Sequence, residues 1–185
     1  MRHKVRKAYI LPKDQIRLIA KETSNNMYIW VNQSTLPAYA EKWFIQARNE
    51  AFKSDFHTAK TGCVIVYKNH VIGRGHNKLK TDPYQKKYNQ KYREWTNDIE
   101  FSKTCGHTIH AEIDALKHIS YQCLQQHIVW KKVSVYIYRV APGLECYSGL
   151  ALPCPACAHA LADVGIQGAY YTTGHVDKPF GYCDL

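Results

Sequence analysis

Long apolar runs are missing from this sequence. No stretch approaches the roughly 18 uncharged apolar residues that a membrane helix needs, so a helical membrane protein is excluded and no membrane partner is expected. Acidic residues are scarce: 15 Asp and Glu stand against 25 Lys and Arg, for a formal net charge of +10. Such an excess favours anionic partners (nucleotides, phosphates or nucleic acid), although solubility alone also accounts for it. The start, Met1-Arg2-His3-Lys4-Val5-Arg6-Lys7, is basic, but no apolar run follows it. No secretory signal is therefore expected, and the cytoplasm is the default compartment. The 7 cysteines are odd in number and irregular in spacing, which reads as free thiols and metal ligands rather than a disulfide framework. Internal repeats and low-complexity tracts are absent as well. What remains is ordinary globular composition, 45% hydrophobic and 22% charged over 185 residues, enough for one domain with a real core.

Residues 1–36 carry little readable pattern. Pro12 suits the start of a short helix, with Ile16, Leu18 and Ile19 apolar, and Met27 to Val31 a short strand. Ser34 or Thr35 then reads as a cap and Pro37 as part of a first turn. Ala40, Trp43, Phe44, Ala47 and Ala51 follow at helical spacing, which predicts an amphipathic helix over 37–53. Gly62 to Tyr67 reads as a strand, Lys68-Asn69-His70 as a turn, and Val71-Ile72-Gly73 as the returning strand of a hairpin. Residues 78–104 are polar and rich in Lys and Tyr, without a clear period. So long a connection inside a compact domain is uncommon and often functional. A helix is predicted from about His110 to Leu124, a strand over Val133–Val140, a helix over about 154–164 stopping at Gly165, and a strand over Ala169–Thr172. The order α-β-β-α-β-α-β predicts an α/β protein with one central sheet between helices.

Two short motifs carry chemistry: His110-Ala111-Glu112, and Pro153-Cys154-Pro155-Ala156-Cys157. Each is predicted to open a helix. Cys154 and Cys157 are three residues apart at a helix N-terminus, so both sulfurs can face one point, where the helix dipole and a metal both favour the thiolate. Two cysteines and His110 make three zinc ligands, and leave a fourth tetrahedral position for water, the mark of a catalytic site. Glu112 lies beside that position as a carboxylate able to move protons. Other readings of the same residues stand beside this one. His110 is also compatible with a core histidine capping a helix. The two cysteines are compatible with a thioredoxin-like redox pair, although that pair usually follows the first strand of its fold. A structural zinc would need a fourth protein ligand, for which Cys146, Cys105 and His107 are candidates.

An H-x-E followed by P-C-x-x-C resembles the signature of the zinc-dependent cytidine and deoxycytidylate deaminases. The resemblance runs from about residue 37 to 173. Pro153 to Ala158, with Asp163-Val164-Gly165-Ile166 and then Tyr170-Tyr171, is most similar to the deoxycytidylate deaminases of bacteria and phages. It implies a three-layer α/β/α cytidine-deaminase-like sandwich with a mixed central sheet of four to five strands, and the Val133–Val140 strand near its middle. It implies hydrolytic conversion of a cytosine base to uracil, one catalytic zinc on His110, Cys154 and Cys157, and Glu112 as the catalytic proton carrier. Gly75-His76-Asn77 matches a family G-x-N pattern, so Asn77 is expected to contact the sugar; a plain turn residue is the alternative. The backbone N–H of Ala111 is expected to hold the base carbonyl. On this reading residues 1–36 are an N-terminal extension and 37–185 a single deaminase domain, expected to form a homo-oligomer. Some family members hold a second, structural zinc, and Cys105 and His107 are a weak C-x-H hint of one. With only Gly174 to Leu185 left after the Tyr170–Thr172 strand, a full extra helix and strand hardly fit, and the family's usual fifth strand is expected to be missing or replaced by the N-terminal region.

The substrate expected first is a free cytosine nucleotide such as dCMP. The segment Tyr84 to Arg93 bears on the choice: Lys86, Lys87, Lys91 or Arg93 suit a phosphate. Alternatively, the same cations suit the backbone of single-stranded DNA or RNA, with Tyr84, Tyr88, Tyr92 or Trp95 stacking bases. Solvated lysines on an exposed segment are the plain alternative. A zinc-stabilised nucleic-acid-binding module without turnover is the remaining possibility, and Glu112 argues against it. The zinc chemistry alone also suits adenine as the base.

Overall fold

The computed structural model describes residues 39–92, 108–119, 127–141, 144–175 and 178–185. The order is α1 (Glu41–Ala51), β1 (Thr61–Tyr67), β2 (His70–His76), β3 (Lys78–Thr81), α2 (Pro83–Tyr92), β4 (Thr108–Ile109), α3 (Ala111–Lys117), β5 (Ser134–Ala141), β6 (Leu144–Gly149), α4 (Pro155–Asp163), β7 (Gly168–Thr172) and β8 (Phe180–Asp184). The expectations for residues 1–36 and for the Ser34, Thr35 and Pro37 helix start fall outside the described residues.

Among the described residues the main sheet has six strands. Five run in the order β2-β1-β5-β7-β8, and β6 joins β5 beyond the end of β7. It is mixed: β5 and β7 are parallel, joined by a crossover through α4, and the other pairs are antiparallel. The strand read from Val133 to Val140 is central, as expected. Thr172 forms the fork at which β7 gives way to β6. Its hydroxyl accepts from the Arg139 N–H at 3.2 Å and donates to the Gly149 carbonyl at 2.7 Å.

Helices cover both faces, and the side chains of β1 alternate between them. Cys63, Ile65 and Tyr67 join Val135, Ile137, Ala115 and Leu161 on the α3/α4 side. Val64 and Val66 join Trp43, Phe44, Ala47, Tyr136 and Tyr138 on the α1 side. Burial on both sides is why this strand reads as an unbroken apolar run. Each large apolar side chain so buried contributes about 1.5–3 kcal/mol relative to exposure.

The hairpin turn is tighter than expected. Lys68 and Asn69 both take positive φ, 46° and 64°, and His70 already belongs to the returning strand, which extends to His76. Gly75 on that strand lets α3 lie against the sheet: a Cβ there would meet the Ala115 nitrogen at 2.2 Å and the Ala111 oxygen at 2.5 Å. The described part of α3 ends at Lys117 with His118 as its C-cap, short of the Leu124 expected, and residues 120–124 lie outside the described residues. As expected, α4 stops at Gly165. The Ile166 N–H bonds to the Leu161 carbonyl and the Gly165 N–H to that of Ala162, a Schellman closure that places Gly165 at φ 95°.

One expectation is corrected. The end of the chain supplies a strand rather than lacking one: β8 pairs antiparallel with β7 from Gly168↔Asp184 to Thr172↔Phe180. A strand of 5 residues fits within the remaining length, because at this point the chain needs only a turn and no preceding helix.

Candidate active site

Both motifs sit where the sequence places them, at the starts of neighbouring helices. His110 is the N-cap of α3, extended at φ −85° and ψ 156°. The two residues before it form β4, held antiparallel to β3 by the pair Lys78↔Ile109. Cys154 is the N-cap of α4, with Pro155 at its first position and Cys157 in its first turn. Proline is preorganised there, because its fixed φ suits the helix and its missing N–H would have no intrahelical partner.

These caps converge. His110 Nδ1 lies 3.5 Å from Cys154 Sγ and 3.4 Å from Cys157 Sγ, and all three ligand atoms fall within 4.8 Å of one another. Two ligands of a tetrahedral zinc, one nitrogen and one sulfur at ordinary bond lengths, stand about 3.5 Å apart. Both the donor types and their spacing therefore fit a zinc ion. The further zinc-ligand candidates Cys105 and His107, and the Cys146 side chain, lie outside the described residues.

Glu112, in the first turn of α3, is 5% exposed. Burial pushes its carboxyl above the usual range; His110 pulls it down, Cys154 pushes it further up, and a hydrogen bond with Cys157 lowers it. The result is a carboxyl held against the ligand cluster with an affinity for protons above that of a solvated glutamate. Ala111 is buried, and as the first residue of α3 its N–H has no partner within the helix.

Asn77 is buried and held by protein partners. Its Oδ1 accepts from the Thr61 N–H at 2.8 Å and from the Ser54 hydroxyl at 2.7 Å, and its Nδ2 donates to the Ala59 carbonyl at 2.7 Å. One amide hydrogen is left by this count. Asn77 thus fastens the loop between α1 and β1 to the end of β2.

The Lys/Tyr segment turns out to be a helix, and most of its aromatic surface faces inward. Asp82 caps α2 by accepting from the Tyr84 and Gln85 N–H groups at 2.9 and 3.2 Å. Tyr88 is 4% exposed and packs with Ile109, Ile113, Ala156 and Cys157. Tyr84, Tyr88 and Tyr92 form a ladder, and Tyr92 stacks on His159 with ring centroids 3.5 Å apart. Lys86, Lys87 and Lys91 are exposed; Arg93 and Trp95 lie outside the described residues.

Several supporting groups were not singled out from the sequence. Gln85 is fully buried, and its Oε1 accepts from the His110 N–H at 2.9 Å. Buried Asp114 accepts from the His76 N–H at 3.1 Å and from Lys78 Nζ at 2.7 Å. The available signal was the spacing of Gln85, Tyr88, Asn89 and Tyr92, which is helical, though half of those positions are amides.

A carboxylate kept beside a His/Cys/Cys donor set, both carried on helix starts under one face of a mixed sheet, is the arrangement of a zinc-type hydrolytic deaminase. The family model described as the cytidine and deoxycytidylate deaminase zinc-binding region matches residues 38–173, and the chain belongs to that family. Similar solved structures include the apo dCMP deaminase of the cyanophage S-TIM5, at 16% identity and TM-score 0.46, covering 75% of this chain and 86% of that one. The complex of that cyanophage enzyme with dCMP and dUMP has 17% identity and TM-score 0.47, covering 77% and 86%. RibD of Acinetobacter baumannii has 17% identity and TM-score 0.36, covering 73% of this chain and 27% of that one. A comparison with curated proteins gave no match. Among the described residues, no helix is long and apolar enough to cross a membrane.

Proposed function

We propose that the domain over 37–185 hydrolyses the exocyclic amine of cytosine on a free nucleotide such as dCMP, giving the uracil nucleotide and ammonia. The observation that carries this reading is the approach of His110 to Cys154 and Cys157, 3.5 and 3.4 Å, with buried Glu112 on the same helix start. Bound zinc would lower the pKa of a water toward neutrality, so that hydroxide is at hand near pH 7. His110, Cys154 and Cys157 hold the metal. Glu112 moves protons: it takes one from the attacking water and delivers it to ring nitrogen N3, then takes the second from the hydroxyl left on C4 and hands it to the amine, which departs as ammonia as the C4 carbonyl forms. Burial suits it to this work, because it raises the carboxyl's affinity for protons above that of a solvated glutamate. Water adds at C4 and ammonia leaves, so the reaction needs no redox partner. The Ala111 N–H holds the base carbonyl, and Asn77 offers its remaining amide hydrogen to the sugar.

A free nucleotide is favoured over a strand because the tyrosines of α2 stack on one another and on His159 rather than forming an open platform for bases. Exposed Lys86, Lys87 and Lys91, with the net charge of +10, favour a strand instead, and the two readings part experimentally. Zinc-loaded protein is offered cytidine, dCMP, dCTP, a cytosine-containing oligonucleotide and an adenine nucleotide, and deaminated product is followed. Turnover of dCMP without the oligonucleotide supports the proposal. Salt-sensitive turnover of the oligonucleotide alone replaces the free nucleotide with a strand. Deamination of the adenine nucleotide alone replaces the base. Tight oligonucleotide binding with no turnover of any substrate makes the chain a binding module.

A further inference from the structure

We propose that Gln85 is a positioning residue for the metal centre, acting as a capping group supplied to α3 by a different helix. The inference rests on the zinc reading above and adds to it a role for the segment between β3 and β4.

An N-cap residue directs its own N–H away from the helix it opens, and that N–H needs a partner once it is buried. In the common local solution a Glu or Gln in the third helical position reaches back to it. Here that position is Ile113, fully buried in the core between α2, α3 and α4. The nearest acidic residue, Glu112, is committed to the ligand cluster. The bond comes instead from Gln85, 25 residues away in sequence, whose Oε1 accepts from the His110 N–H at 2.9 Å.

Gln85 is itself held by two further bonds. Its own N–H goes to Asp82 Oδ1 at 3.2 Å, and its Nε2 donates to Asn89 Oδ1 at 2.9 Å. Asp82 extends the tie by pairing through its other oxygen with Lys117, at the far end of α3. Toward α4, Tyr88 donates to Asp163 Oδ2 at 2.7 Å and packs against Cys157. α2 therefore grips both helices that carry the ligands, and Gln85 is the point where that grip meets the backbone of one of them. A rotation of His110 about φ moves its imidazole relative to both sulfurs; the Gln85 bond fixes the N–H about which that rotation turns. Supporting groups of this kind typically change metal affinity about 10–100-fold when removed.

The test compares Gln85→Leu, Gln85→Glu and Val64→Ala in the full chain. Leu removes the acceptor at similar volume. Glu keeps an acceptor oxygen at the same reach. Val64→Ala lowers stability from the opposite face of the sheet, where Val64 packs toward α1. The readouts are zinc affinity by chelator competition and the visible absorption of the cobalt-loaded protein, whose ligand-field bands report the geometry of the donor set. The proposal expects Gln85→Leu to lose about 10–100-fold in zinc affinity and to shift the cobalt bands. Gln85→Glu should keep the wild-type bands, and so should Val64→Ala at an equal or greater loss of thermal stability. Wild-type affinity and bands in Gln85→Leu would overturn the proposal while leaving the zinc reading intact. So would a band shift of the same size in Val64→Ala, or in Gln85→Glu. Failure of the wild-type chain to take up either metal would overturn both readings together.

Discussion

The Tyr88 hydroxyl lies 2.7 Å from Asp163 Oδ2 and donates to it. That bond joins a helix whose sequence reads as a polar Lys/Tyr connection without a clear period to the helix that carries both candidate cysteine ligands. It makes Tyr88 a packing residue, not a platform for a nucleotide base. Tyr88→Phe keeps the ring and removes the bond. The expected loss is about 1 kcal/mol, or about 2–4 °C in melting temperature for a chain of this size, with turnover retained. Thermal unfolding and a dCMP assay on the same preparation check it.

Asp82 sets a pH dependence. Burial raises the pKa of its carboxyl, but the Lys117 ion pair and the Gln85 and Tyr84 N–H groups outweigh burial and hold it below its ordinary value of 3.8. A depressed carboxylate stabilises the fold in full above that ordinary value, and the contribution disappears as pH falls through the lower, folded-state pKa. The stability gap between wild type and Asp82→Asn should therefore be open at about pH 6 and shrink by about pH 3. Urea unfolding at both pH values measures it; a gap that widens in acid would reverse the sign.

Gly75→Ala should damage the seat of α3. The new methyl would meet backbone atoms of Ala111, Asp114 and Ala115 at 2.2–2.7 Å, and helix backbone cannot swing aside as a side chain tip can. A loss of about 1–3 kcal/mol or more is expected, together with reduced zinc affinity because His110 opens the displaced helix. Denaturant unfolding and metal competition read the two effects.

The cysteines should separate by role. Cys154→Ser and Cys157→Ser should each weaken zinc binding by more than the about 10–100-fold cost of changing a supporting residue. Cys183 is different: burial pushes its thiol up to about 12, so it stays protonated at neutral pH and makes a poor ligand. Cys183→Ala should leave zinc content unchanged, as metal analysis of dialysed protein would show.

The candidate site was legible because its residues are concentrated in two short motifs whose types belong together at helix starts. The long apolar strand around Val135 and Ile137 was legible for its continuity. α2 was not, and the reason is physical. Its inward face carries Gln85 and Asn89 between tyrosines, so a search for apolar periodicity meets amides where it looks for leucine or valine. Those amides are buried because they bond to the His110 backbone and to each other, partners supplied by the tertiary structure. β6 and β8 escaped for a related reason. They are short strands whose existence depends on the edges of β5 and β7, and Phe180-Gly181-Tyr182-Cys183-Asp184 has no strong strand pattern of its own.

The most direct measurement is zinc content and uracil formation from dCMP on the same samples of wild type and Glu112→Ala. The account predicts equal zinc in both, and a fall in turnover of at least about 10²–10⁴-fold in the variant. Turnover retained in Glu112→Ala at equal zinc content would contradict it.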